Sequence, residues 1–107
     1  MTYIEKLQSL IDHYGLREQS GQCMEECAEL ILALRKYWRF DPLPHDTVGT
    51  ENRRRDIADE LADVQIMIDQ MRIGFGVSDI VDERIRYKLE RQIGRMGAQE
   101  VQDVVIH

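Results

Sequence analysis

Proline is confined to one place in this chain. Its two prolines stand in Pro42-Leu43-Pro44, so nothing elsewhere forbids long uninterrupted helices. Cysteine is as scarce, with Cys23 and Cys27 four residues apart on one predicted helix. A disulfide at that spacing strains its geometry, and no histidine follows at zinc-finger spacing. Both thiols are expected to be reduced and buried. No apolar run approaches the ~20 residues that span a bilayer. Met1 to Leu10 mixes charges with apolar residues at helical spacing and does not read as a leader. A cytoplasmic location without membrane contact is the expectation. Positive charge is in deficit: 14 Lys and Arg against 20 Asp and Glu give a net charge of −6. That argues against nucleic acid or an anionic membrane as partner. A small phosphorylated ligand stays open, because a bound divalent cation reverses the local field.

What is present is helical material. With 107 residues, 43% hydrophobic and 32% charged, the chain fits one domain of a soluble helical protein. Thr2 with Glu5 forms a capping box for a first helix through about His13, striped by Ile4, Leu7, Leu10 and Ile11 and stopped by Gly15. A second helix begins between Leu16 and Gln22 and runs to about Arg39, with a seam of Cys23, Cys27, Leu30 or Ile31, Leu34 and Trp38. Phe40 to about Thr50 reads as a long loop with a binding or lid role. Tyr37, Trp38 and Phe40 stand before it, to stack on a base or to end the core. The third helix spans about Glu51 to Phe75. Its apolar residues Ile57, Leu61, Val64, Ile68, Met71 and Phe75 alternate by four and three, the repeat of side-by-side helix packing. Arg53, Arg54 and Arg55 form a basic turn at its start, solvated or phosphate-attracting, with Arg55 placed to pair with Asp59. Ser78 caps a fourth helix to about Met96 or Gly97. Arg84, Lys88, Arg91 and Arg95 make a basic stripe along it. Ala98 to His107 is a tail that extends the helix, adds a strand or pairs with a neighbour. The expected architecture is an all-α antiparallel bundle of about four helices in a single 1–107 domain, completed by oligomerisation.

Two acidic pairs stand out: Glu26 and Glu29 on the second helix, Glu60 and Asp63 on the third. At a spacing of three, both members of a pair share one helix face. If the two seams pack together, four carboxylates meet. Two like charges 4 Å apart repel by ~4 kcal/mol at an effective dielectric of 20, and several such pairs rival the ~5–15 kcal/mol stability of a domain. The acids must therefore take up protons, diverge into water or hold a cation. Oxygen donors select a hard ion, Mg²⁺ or its substitute Mn²⁺, and such an ion activates water and binds phosphate. Acids, hard metal and a basic stripe point to metal-assisted hydrolysis of a phosphate anhydride. Gln19 and Gln22 share the acidic face, either orienting carboxylates, touching a ligand or lying on the surface. A di-iron bundle needs Glu-x-x-His, which no glutamate here provides. A non-catalytic bundle serving as a nucleotide- or protein-binding module is the alternative.

The wording around these acids resembles the MazG-like, all-α nucleoside triphosphate pyrophosphohydrolases. The E-x-x-E element stands as Glu26-Cys-Ala-Glu29 within EECAEL, and the E-x-x-D element as Glu60-Leu-Ala-Asp63 within DELADVQIMIDQM. YKLERQIGRM resembles the K-x-x-R region of short members, and the likeness runs from about Gln19 to Met96. The resemblance implies hydrolysis of a (deoxy)nucleoside triphosphate to monophosphate and pyrophosphate, serving to cleanse or regulate nucleotide pools. It implies Mg²⁺ on Glu26, Glu29, Glu60 and Asp63 and assembly as a homodimer or homotetramer. Glu25, at the preceding acidic position, is a candidate to assist the attacking water. Lys88 and Arg91 are candidates for the phosphates, with Gln19, Gln22 and Trp38 as further substrate contacts. Glu90 and Gln92 stand where many relatives carry an asparagine or a second basic pair.

Overall fold

The computed structural model describes residues 1–40 and 47–106, with side chains through residue 99. The described residues form four helices and no strand: α1 (Tyr3–Tyr14), α2 (Leu16–Arg39), α3 (Thr47–Gly74) and α4 (Ser78–Ile106). They divide into two compact units, Met1–Gly76 and Val77–His107.

In the first unit α2 and α3 form a long hairpin, and α1 lies against both. The reciprocal Thr2–Glu5 capping box opens α1. Gly15, at φ 89° and ψ 149°, lets α2 start one residue after α1 ends. Those angles are essentially closed to residues with a side chain. Leu7 and Ile11 are the α1 residues that bury, while Ile4 and Leu10 stay exposed. Tyr3 ties the start of α1 to α3, its hydroxyl donating to Asp69 Oδ2 at 2.5 Å. That bond, then burial and the carboxylate's charge, raise the tyrosine pKa above its ordinary value. At the open end of the hairpin Leu16 lies so near Gly74 that a Cβ there would run into its side chain.

The α2–α3 seam sits one position away from the apolar stripe. On α2 the inward residues are Gln19, Cys23, Glu26, Leu30, Ala33 and Tyr37; on α3 they are Arg53, Ile57, Glu60, Val64, Met67, Met71 and Gly74. Both sets alternate by four and three, as side-by-side packing requires. Ile57, Val64 and Met71 belong to the seam as the apolar spacing predicts. Leu61, Ile68 and Phe75 do not: they are exposed, and Glu60, Met67 and Gly74 take their places. On α2 Leu30 takes the seam position in place of Ile31, and the shift exposes Cys27, Leu34 and Trp38, against the expectation that they pack. Both cysteines are free, and burial, then Cys27 beside it, raises the Cys23 thiol pKa. Across the buried seam Gln19 donates to Gln70 Oε1 at 2.7 Å. Gln70 is 1% exposed.

The expected loop shortens, because α3 already begins at Thr47; its Pro42–Pro44 core lies outside the described residues. Arg54 and Arg55 both pair with Glu51, at 3.5 and 3.6 Å, so Arg55 does not pair with Asp59.

The second unit is α4. It begins at Ser78, with Val77 supplying the first helical carbonyl to the Val81 amide, so Ser78 lies inside the helix and not at its cap. The segment from Ala98 continues α4 as far as Ile106. Ile85, Leu89, Ile93 and Met96 are exposed.

Candidate metal and anion cleft

The antiparallel run of α2 and α3 brings together acids 34 to 37 residues apart in sequence. Glu26 sits on α2 in the same ladder as Cys23 and Leu30, and Glu60 on α3 in the ladder of Ile57 and Val64, so packing of the seam carries both carboxylates inward. Asp63, one turn beyond Glu60, follows on the more open side. Glu26, Glu60 and Asp63 each offer an oxygen within 4.8 Å of the others.

Glu60 is the centre of this group. Its Oε2 is sealed from solvent and has no hydrogen-bond partner among the described residues. Burial raises the Glu60 pKa above the ordinary carboxylate range. The charges of Asp63, Glu26, Glu29 and Asp59 push it further in the same direction, in that order. A buried acceptor without a donor is costly, and a like-charged ring around it adds to the cost. A cation among the three carboxylates removes both penalties. The donor set is oxygen only, which suits Mg²⁺ or Mn²⁺.

The remaining sequence candidates fall in four places. Glu29 lines the cleft that opens beside Glu60, outside the group of three converging carboxylates. Glu25 is exposed and likewise outside it. Gln22 donates to Glu26 Oε1 at 2.8 Å, orienting that carboxylate, whereas Gln19 is committed to Gln70 within the seam. Trp38 is 80% exposed; with Ile31, Leu34 and Arg35 it lines a shallow apolar hollow to which none of the acids contributes. Lys88 and Arg91 lie on α4, both exposed, and the Arg91 guanidinium reaches over the Tyr87 ring at 5.8 Å.

The cleft itself has a volume of about 620 Å³, within the range of small-molecule sites. Glu29, Asp56, Asp59 and Glu60 line it together with Lys36, Arg39, Arg53 and Phe40. Arg53 lies flat on Phe40, its guanidinium carbon 3.2 Å from the ring centroid, and donates to the Gly49 carbonyl at 3.1 Å. Lys36, Arg39 and Asn52 carried no signal in sequence beyond ordinary helix-surface residues; only the pairing of α2 with α3 puts them beside the acids. The chain finds no match among family models, curated proteins or solved structures.

Proposed function

We propose that the protein is a Mg²⁺-dependent nucleoside triphosphate pyrophosphohydrolase, converting a (deoxy)nucleoside triphosphate to the monophosphate and pyrophosphate. The observation that carries the reading is the Glu60 carboxylate, half sunk in a helix seam with one oxygen unpartnered and two further carboxylates beside it. A solvated acidic surface has no reason to bury an acceptor there. The resemblance of EECAEL and DELADV to the MazG-like motifs supplies the reaction class, and the cleft beside the acids supplies room for a substrate.

Glu26, Glu60 and Asp63 would hold the metal, with Glu29 facing the same cleft. Bound there, Mg²⁺ supplies neutralising charge for a polyphosphate and acidity for a coordinated water. Gln22 fixes the orientation of Glu26 through its hydrogen bond. In the reaction a water oxygen joins the α-phosphorus and the bond from that phosphorus to the bridging oxygen breaks. Pyrophosphate departs with the bridging oxygen, and the water's proton passes to solvent or to a cleft carboxylate such as Glu29.

The same reading makes the protein a homodimer or homotetramer. Leu61, Ile68 and Phe75, seven residues apart on α3, and Ile31, Leu34 and Trp38 on α2 leave apolar stripes that a second copy would cover.

The test is Glu60→Gln, which keeps shape and removes charge. Turnover of nucleoside triphosphate should fall by roughly a hundredfold or more, since even residues behind a metal ligand typically cost 10- to 100-fold. The Mg²⁺-induced rise in melting temperature should vanish while circular dichroism keeps its helical signal. Unchanged turnover in the variant would remove Glu60 from the site.

A further inference from the structure

The cleft beside Glu60 is bipolar, and both helices build it by the same rule. Lys36 follows Glu29 by seven residues on α2, and Arg53 precedes Glu60 by seven on α3. Seven residues are two helical turns, a displacement of about 10 Å along the axis. Because the helices run antiparallel, both displacements lead towards the same end of the hairpin. Lys36 and Arg53 therefore lie towards one end of a single cleft that Arg39 also lines, with Glu29, Asp59 and Glu60 towards the other end and Asp56 between them.

These cations are held apart from the cleft's own acids. Near the cleft, Arg54 and Arg55 pair with Glu51. Lys36, Arg39 and Arg53 share the cleft with Asp56, Asp59 and Glu29 but pair with none of them. Arg53 is also positioned: its guanidinium lies over the Phe40 ring and donates a hydrogen bond to the Gly49 carbonyl. A guanidinium fixed in that way keeps further donors for a ligand. Separated charge of this kind fits a ligand that is anionic at one end and neutralised by a cation at the other.

We propose that Lys36 and Arg53, with Arg39 beside them, form the anion subsite for the far phosphates of a polyphosphate whose near phosphates lie at the carboxylate group. The proposal rests on the pyrophosphohydrolase reading and moves the phosphate contacts from Lys88 and Arg91 to residues of the α2–α3 cleft. Lys36 and Arg53 bind the departing pyrophosphate portion, so they act on substrate affinity and on stabilisation of the leaving group.

Two measurements test it. In the first, inorganic tripolyphosphate is titrated by calorimetry into the metal-free full chain at low salt. The wild type and Glu60→Gln should bind it, whereas Lys36→Gln and Arg53→Gln should weaken binding at least tenfold. Lys36 is exposed, so its replacement spares the fold, and circular dichroism with the Mg²⁺-dependent melting shift checks both variants. In the second, the KM for nucleoside triphosphate should rise at least tenfold in Lys36→Gln, with pyrophosphate still the product. Arg17→Gln, on the exposed start of α2, should leave KM unchanged. If the wild type turns over substrate and KM stays fixed in Lys36→Gln, the subsite is wrong and the hydrolase reading stands. If no triphosphate is turned over but tripolyphosphate binding still depends on Lys36 and Arg53, the subsite stands and the hydrolase reading falls. Absence of tripolyphosphate binding to the wild type overturns the subsite.

Discussion

Glu60 is the residue at which folding and the proposed metal site pull in opposite directions. Its pKa is raised, chiefly by burial and then by Asp63, Glu26, Glu29 and Asp59, so the folded state keeps a proton that the unfolded chain releases. The resulting contribution to stability is fully present below the ordinary carboxylate pKa and is lost as pH rises through Glu60's higher value. The metal-free wild type should therefore lose stability relative to Glu60→Gln as pH climbs out of the carboxylate range. Thermal melts of both proteins across about pH 4 to 8 measure this difference. Saturating Mg²⁺ should reverse it for the wild type, because the metal takes the place of the proton. A difference that does not vary with pH would mean that Glu60 is not strained by its neighbours.

The Gln19–Gln70 bridge is the seam's other polar residue pair, and it is fully enclosed. Replacing Gln19 alone by Leu leaves the Gln70 carbonyl without its donor and should cost ~1–3 kcal/mol. Adding Gln70→Leu removes the orphaned group and should recover most of that loss. Urea denaturation of the two single variants and the double variant measures both effects.

At the scale of elements, Gly15 sets how α1 turns back onto the hairpin by joining it to α2 without a loop. Gly15→Ala forces a side chain into a backbone region essentially reserved for glycine and should destabilise the fold by ~1–3 kcal/mol, again read from a urea titration.

Helix number, the α1 capping box and the all-helical class were legible from spacing and composition, because each depends on local sequence. The seam was only half legible. Ile57, Val64 and Met71 stand out by apolarity, but the positions that complete their ladder are Glu60, Met67 and Gly74. Apolar Leu61, Ile68 and Phe75 are better core residues by composition, and the hydrophobic pattern therefore points one residue away. The seam gives up that burial where the Glu60 carboxylate faces α2, and on the proposed function this is the kind of site where local rules are expected to break. The acidic motifs themselves were legible as spacing. Of the cationic side of the cleft, Arg53 was legible as part of a basic turn, but Lys36 and Arg39 were not, because only the antiparallel pairing of two helices puts them in the same cleft.

At the scale of the whole molecule, few apolar side chains among the described residues are buried: Leu7, Ile11, Val64 and Met67. Leu61, Ile68, Trp38 and the apolar residues of α4 are left at the surface. A helix such as α4 draws most of its stability from packing of its apolar face. Association of copies supplies cover for such faces and is the assembly proposed above. Size-exclusion chromatography with light scattering should give a mass of two or four chains, and Leu61→Lys with Ile68→Lys should shift it to a smaller species. A monomeric wild type at micromolar concentration would contradict that assembly. No helix among the described residues is long and apolar enough to cross a membrane.

The most direct measurement is product identity. The protein is incubated with Mg²⁺ and a panel of ribo- and deoxyribonucleoside triphosphates, and phosphorus NMR follows the reaction. At least one substrate should yield nucleoside monophosphate and pyrophosphate in equal amounts, dependent on Mg²⁺ and on Glu60. Orthophosphate with nucleoside diphosphate, or no turnover of any triphosphate, would contradict the account.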